Sequence, residues 1–268
     1  MNLHGLLSLL REVPAYQETL QRLVSRGGLG EPLALLHAAR PFVTAGLAGD
    51  LNQPLILVTA RSERARQWTD ELRVWLDNPE RVHLFADPDA LPYERIPWSR
   101  ETRQQRLTAL AALARSPEDG RQDAPIIVAS ARALIQKTLP PREFRLATRP
   151  LHRGQLVVLS NLLGRWVGLG YQTVSVVEEP GSYSRRGGIV DIYPPNLEWP
   201  VRLELFGDEV DSLRTFDPAT QRTMAHVDQV LIGPASELLP KYGAAAAERL
   251  AGLELSTCNT LTRERMEQ

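Results

Sequence analysis

Two glycines in the segment FVTAGLAGDLNQ, Gly46 and Gly49, have a spacing that suits a phosphate-binding turn, and they follow a short apolar run at Pro41–Thr44. Such a turn binds a nucleotide when backbone N–H groups surround the phosphates, a lysine reaches the β- and γ-oxygens and a Ser or Thr binds Mg²⁺. Here Asp50 follows the second glycine, and a carboxylate in that position repels phosphate. We therefore read the segment either as an ordinary loop or as a degenerate nucleotide site of P-loop type.

The lysines of the chain exclude the complete motif anywhere else. There are only two, Lys137 and Lys241, and neither follows a glycine. Arginine in place of lysine is a weak alternative, because Arg40 precedes the apolar run and Arg61 follows the next strand. Both readings of the glycine segment therefore predict that this chain does not hydrolyse ATP. We expect no catalytic residue and no bound cofactor.

Carboxylates cluster in the second half of the chain, at Asp191, Asp208, Glu209 and Asp211. A metal site would require histidine or further acidic ligands at a regular spacing near them, and none accompanies them. We interpret these carboxylates as turn-forming residues or as interface charge, and we predict no metal site.

The segment Val201–Phe206 has the alternation of a half-buried strand. Its apolar residues predict a core face, and the opposite face carries Arg202, Glu204 and Phe206. Arginine and an aromatic residue beside a carboxylate are typical of a protein-interaction hot spot. The alternative is that Phe206 packs under a neighbouring loop while Arg202 pairs within the chain.

The elements of the first half alternate between strands and helices, which predicts a parallel sheet. We expect a helix at Leu3–Arg26 broken near Pro14, a short helix at Pro32–Ala39, strands at Pro41–Thr44, Leu55–Thr59, Val82–Phe85 and Ile126–Ala129, and helices at Ser62–Leu76 and Arg100–Arg115. The nearly continuous apolar character of Leu55–Thr59 predicts burial on both faces. The glycine segment Ala45–Asn52 is expected to be a turn.

The pattern changes where prolines cluster around residues 140–150. We expect a helix at Val157–Leu169, strands at Tyr171–Glu178, Gly188–Tyr193, Val201–Phe206 and Val210–Phe216, and a final helix at Ala244–Leu250. The predicted fold is thus α/β: a degenerate P-loop-like parallel sheet domain at 1–147, then a smaller α+β domain with antiparallel strands at 148–234. Residues 235–268 are expected to be the truncated start of another domain.

Composition excludes several classes of protein. The chain has 268 residues and a net charge of −1, so no overall positive field attracts nucleic acid or an anionic membrane. Its single cysteine, Cys258, excludes an internal disulfide. The N-terminus has no signal-peptide pattern and no apolar run is long enough to span a bilayer. We therefore expect a cytoplasmic location and no membrane partner.

Two segments resemble a known family. The stretches RRGGIVDIYPP, VRLELFGDEVDSLRTFD and PATQRT, within Glu178–Thr223, resemble the signature shared by the excision-repair protein UvrB and the N-terminal region of the transcription-repair coupling factors (Mfd). The segment DPDALPYERIPWSRETRQQRLTAL also resembles the coupling factors. The DNA-clamping hairpin and Walker A motif of UvrB are both absent. The resemblance covers roughly Pro32–Pro240.

The resemblance implies a function in DNA repair. It implies a UvrB-like region without its ATPase (domains 1a and 2), whose second domain docks the damage-recognition protein UvrA. Arg186, Arg202 and Phe206 match the family's UvrA-contacting positions, and Arg185, beside Gly187 and Gly188, is an additional candidate contact. It also implies a parent protein that binds RNA polymerase and translocates on DNA. The part of the parent protein that drives translocation, its motor, is not in this chain, and ATP and Mg²⁺ are expected only there. The chain is therefore expected to be an N-terminal fragment.

Two other functions remain open from the sequence. A UvrB-type, DNA-dependent ATPase with a variant loop would bind ATP, but the missing Gly-Lys pair argues against it. A direct DNA-binding module would show steeply salt-dependent affinity, and the near-zero net charge argues against that.

Overall fold

A computed structural model describes residues 3–26, 32–90, 98–114 and 123–243, together with residues 248, 252, 259 and 260. The chain forms two compact units, and neither is continuous in sequence. The first unit comprises 1–87 and 115–136, and the second comprises 88–114 and 137–268. The predicted helix at Ala244–Leu250 and part of the coupling-factor-like segment, 91–97, lie outside the described residues apart from Glu248.

The first unit contains a parallel sheet of three strands in the order β1-β3-β2. The strands are β1 (Leu55–Thr59), β2 (Val82–Phe85) and β3 (Ile126–Ser130), and Ile126 pairs with both Leu55 and Val82. The predicted parallel sheet is confirmed. The helices of this unit are α1 (Pro14–Arg26), α2 (Arg40–Leu51), α3 (Ser62–Trp75) and α5 (Ala131–Ile135), with 3₁₀ helices at His4–Glu12, His37–Ala39 and Pro79–Arg81.

The predicted strand Pro41–Thr44 and the predicted turn after it are wrong, because both lie in helix α2. Pro41 suits the first helical turn, where its missing N–H costs nothing. Ala45 and Ala48 then share the buried side of the helix and pack into the core with α3. Gly46 allows a close approach, since a Cβ there would lie 2.5 Å from a methyl carbon of Leu10. The glycine spacing therefore reflects helix packing.

The prediction that β1 is buried on both faces is also wrong. One face packs into the core with Leu72 and Val128, but Ile56 and Val58 on the other face are about half exposed, at 53% and 52%. The strand order explains this difference, because β1 lies at the edge of the sheet while β3 is central and fully buried. A continuous apolar run does not distinguish a central strand from an edge strand.

The second unit contains a six-stranded sheet in the order β10-β9-β8-β7-β6-β5 and a two-stranded sheet β11-β4. The strands are β4 (Arg149–His152), β5 (Gln172–Thr173), β6 (Ser182–Arg186), β7 (Ile189–Ile192), β8 (Val201–Phe206), β9 (Glu209–Phe216), β10 (Thr223–His226) and β11 (Gln229–Ile232). Its helices are α4 (Arg100–Ala114), α6 (Pro141–Ala147) and α7 (Leu159–Gly168), with a 3₁₀ helix at Pro240–Tyr242.

The strand predicted at Tyr171–Glu178 is much shorter than expected, since only Gln172–Thr173 pairs with β6. The chain then leaves the sheet, and Val177 packs with Tyr193 and Phe216 in a small buried cluster. This segment thereby covers one end of the sheet face that Phe216 shares with its neighbours.

The two units do not follow the predicted domain boundaries at 147 and 234. Phe144 of α6 and Leu107 of α4 lie in the same core as Trp166 of α7, so helices from before residue 148 complete the second unit. Arg106 also forms a buried ion pair with Glu237, with 2.5 Å between the guanidinium nitrogen and the carboxylate oxygen. Residues beyond 234 are therefore part of this unit as well.

Candidate protein-interaction site

Two tight hairpin turns lie at the same end of the six-stranded sheet. Arg186 pairs with Ile189 across Gly187 and Gly188, and Phe206 pairs with Glu209 across the next hairpin turn. Gly187 has a φ of +62°, a conformation that suits glycine and allows the tight turn. Strands β7 and β8 are antiparallel neighbours, so the end of β8 lies beside the start of β7. The turns therefore bring distant parts of the chain together.

One face of this sheet is opposite the core, and we call it the outer face. Residues paired across adjacent strands point to the same side of a sheet, so the register places the outer-face residues in rows. The deep row holds Ser184, Asp191, Arg202 and Arg214; the middle row holds Arg186, Ile189, Glu204 and Ser212; and the turn row holds Phe206, Glu209 and Leu156.

Asp191 lies at the centre of the deep row, and its carboxylate forms ion pairs with two arginine side chains. Its carboxylate accepts from Arg202 at 2.6 and 2.9 Å and from Arg186 at 2.9 Å. The Asp191 side chain is only 1% exposed, so its charge depends on these partners. The two arginines predicted from the sequence are thus brought together, and the carboxylate that joins them lies within strand β7 and not in a turn.

Arg202 is fixed more firmly than Arg186. Its guanidinium lies over the ring of Phe216, 4.7 Å from the centroid, and also donates to Gln221 at 3.3 Å. The hydrogen bond to Asp191 raises the pKa of Arg202 and outweighs the lowering by burial. The Arg202 side chain is 16% exposed and that of Arg186 is 56% exposed. Of the two, Arg186 presents the accessible cation.

Phe206 ends β8 beside the turn and is 83% exposed. The alternative that it packs under a loop is therefore wrong. Glu204, which precedes it on the same face, pairs closely with Arg214 and accepts from Ser212 at 3.0 Å. The outer face consequently combines charge-paired middle and deep rows with an exposed aromatic ring at the turns, as an interaction surface requires.

Sequence reasoning named Arg186, Arg202 and Phe206 as site residues, but it did not predict that Asp191 joins the two arginines. A carboxylate between Val190 and Ile192, in an otherwise apolar strand, was the available signal. An acidic residue in such a position needs a partner, and the pairing of β7 with β8 supplies Arg202. That pairing is long-range information that the strand alone does not contain.

The residues of the predicted nucleotide loop line an open cavity of about 460 Å³ in the first unit. Gly46, Gly49 and Asp50 belong to α2, so no loop surrounds a phosphate here. Asp50 accepts hydrogen bonds from Arg11 at 2.6 Å and from Tyr16 at 2.7 Å. The guanidinium of Arg11 is therefore already paired with this carboxylate. The prediction of a degenerate loop at these three residues is therefore wrong.

The described residues contain no group of three or more His, Cys, Asp or Glu side chains placed to hold a metal ion. Within the same part of the chain, no helix has both the length and the apolar character needed to cross a membrane.

The outer face lies in a segment that matches a known protein family. Residues 150–238, which hold the whole outer face, match a family model described as the UvrB interaction domain. The transcription-repair-coupling factor of Bacillus subtilis is 37% identical over 85% of this chain. Those of Mycobacterium bovis and Escherichia coli are 33% identical over 96% and 30% identical over 78%. The chain is therefore similar over most of its length to the transcription-repair-coupling factors, and it corresponds to their N-terminal region, as the resemblance of its motifs implied.

The chain spans only part of each relative. The three matches cover 19%, 21% and 17% of the Bacillus, Mycobacterium and Escherichia coupling factors. The matched fraction contains both units, because the Mycobacterium alignment extends over 265 residues.

Proposed function

We propose that this chain is the UvrA-docking part of a transcription-repair-coupling factor. Its outer face recruits UvrA to DNA lesions where RNA polymerase has stalled, using a surface that UvrB also uses. One observation carries the proposal: the segment that matches the UvrB interaction domain places Arg186 and Phe206, both exposed, at one end of a sheet face whose third matching residue, Arg202, is fixed by Asp191.

The three residues have different functions in this proposal. Phe206 supplies the apolar contact, since an exposed aromatic ring gains most from burial in a partner. Arg186 supplies the accessible cation, while Arg202 positions Asp191 and thereby holds Arg186 in place. The chain is a docking module and not an enzyme. RNA polymerase binding, ATP-driven translocation and their ATP and Mg²⁺ belong to other parts of a cytoplasmic parent protein.

Calorimetric titration of UvrA into the whole chain tests the proposal. Phe206→Ala and Arg186→Glu should each cost about 2 kcal/mol or more of binding free energy, the loss typical of interface hot spots. Arg202 is a poor target for charge reversal, because a carboxylate there would face the buried Asp191.

The matched control for Arg186→Glu is Arg222→Glu. Arg222 is exposed and lies in the turn between β9 and β10, at the opposite end of the same sheet. It should leave UvrA affinity unchanged. Equal affinities for the wild-type chain and both outer-face variants would refute the site, and absence of binding by the wild-type chain would refute the function.

A further inference from the structure

The turn row extends beyond Phe206 to Glu209 and Leu156. Glu209 pairs with Phe206 on one side and with Leu156 on the other, so the three side chains lie in one line across the hairpin. The backbone fixes this arrangement, because Val157 donates to Asp208 at 2.7 Å and Val210 donates to Gln155 at 2.9 Å. With neighbouring strands about 4.8 Å apart, the Cα atoms of Phe206 and Leu156 are separated by roughly 10 Å.

The turn row differs in character from the rows behind it. Leu156 is 76% exposed and Phe206 is 83% exposed, whereas the adjacent Val157 and Val210 are buried. The exposure of Leu156 therefore does not result from a loosely packed segment. Two large apolar side chains of one row project into solvent on either side of the Glu209 carboxylate.

The charge around this row is acidic. Asp208, Glu209 and Asp211 are exposed within four residues, and Asp228 lines the same shallow cavity of about 460 Å³ as Glu209. The cation beside them, Arg153, donates its Nε–H to the backbone oxygen of Asp211 and not to a carboxylate. A partner that covers Phe206 and Leu156 must therefore also satisfy Glu209, and the acidic surroundings favour a basic side chain between two apolar contacts.

We propose that Leu156 and Glu209 complete the docking surface, and that UvrA covers the whole turn row with an apolar patch containing a basic residue. This inference rests on the proposed function and deepens it, because it identifies the chemistry of the partner surface. The row supplies an aromatic and an aliphatic anchor about 10 Å apart.

Titration of purified UvrA into the whole chain, with Leu156→Ala and Glu209→Lys variants, tests this inference. Each variant should weaken binding at least about fivefold, a typical loss at a contributing interface position. Leu238→Ala is the matched control, since Leu238 is equally exposed at 78% but lies outside the six-stranded sheet, and it should change affinity less than about twofold. Circular dichroism should show unchanged folding, because both target side chains are exposed.

The outcomes separate this inference from the proposed function. If Phe206→Ala weakens binding while Leu156→Ala and Glu209→Lys bind like wild type, the extended surface is overturned and the proposed function stands. If Glu209→Lys strengthens binding, the partner surface is acidic and the inference is likewise overturned. If the wild-type chain does not bind UvrA, the proposed function is overturned, and this inference with it.

Discussion

At the scale of single residues, the outer face depends on a carboxylate that is not itself accessible. The Asp191 side chain is 1% exposed, and its charge neutralises Arg202, whose side chain is only 16% exposed. Breaking a buried ion pair by removing one partner is strongly destabilising, because the remaining charge stays desolvated. The accessible Arg186 depends on the same carboxylate for its orientation.

Asp191→Ala should therefore lower the free energy of unfolding by about 3 kcal/mol, measured by urea denaturation. The double variant Asp191→Ala with Arg202→Met should recover at least half of that loss, since the buried guanidinium is removed and Arg186, 56% exposed, can be hydrated. Asp208→Ala, an exposed turn carboxylate, should change stability by less than about 0.5 kcal/mol. A double variant no more stable than Asp191→Ala alone would show that Asp191 does not act through Arg202.

At the scale of elements, helix α2 differs most from its prediction, which was a strand followed by a turn. Its two glycines have opposite surroundings: a Cβ on Gly46 would meet Leu10 at 2.5 Å and Tyr16 at 3.0 Å, whereas a Cβ on Gly49 meets nothing within 4 Å. In a phosphate-binding turn both glycines would be needed for backbone freedom. In a helix only Gly46, which is crowded by Leu10 and Tyr16, must be a glycine.

Gly49→Ala should raise the free energy of unfolding by about 0.5–1 kcal/mol, because alanine is the better helix former and has room. Gly46→Ala in the same helix should lower it by about 1 kcal/mol, since Leu10 and Tyr16 must move. Urea denaturation of the two variants provides the comparison. Destabilisation by Gly49→Ala would contradict the helix and favour the turn.

Sequence patterns predicted elements well where local periodicity determines them. Strands β1, β2 and β3 and helix α3 lie where the apolar runs placed them. The errors have non-local causes: Gly46 is required by its contact with Leu10, and β1 is an edge strand because β3 lies between β1 and β2. The ion pair of Asp191 was not predicted for the same reason, since its partner Arg202 is on another strand.

At the scale of the whole molecule, the second unit is larger than the segment that matches the UvrB interaction domain. Residues 150–238 hold the outer face, but Leu107, Phe144 and the buried Arg106 that pairs with Glu237 come from outside that segment. The matched segment alone would expose part of its core. Experiments on docking therefore need the whole chain, and a variant that weakens binding must be shown to retain the fold of this unit.

Hydrogen–deuterium exchange across the whole chain, with and without UvrA, tests the central claim most directly. Residues 186–189 and 205–209, at the two hairpin turns, should gain protection when UvrA binds, because they form the end of the outer face. The exposed edge strand Leu55–Thr59 of the first unit, with its half-exposed Ile56 and Val58, should exchange equally in both states. Protection of that edge strand without protection at the turns would contradict the account.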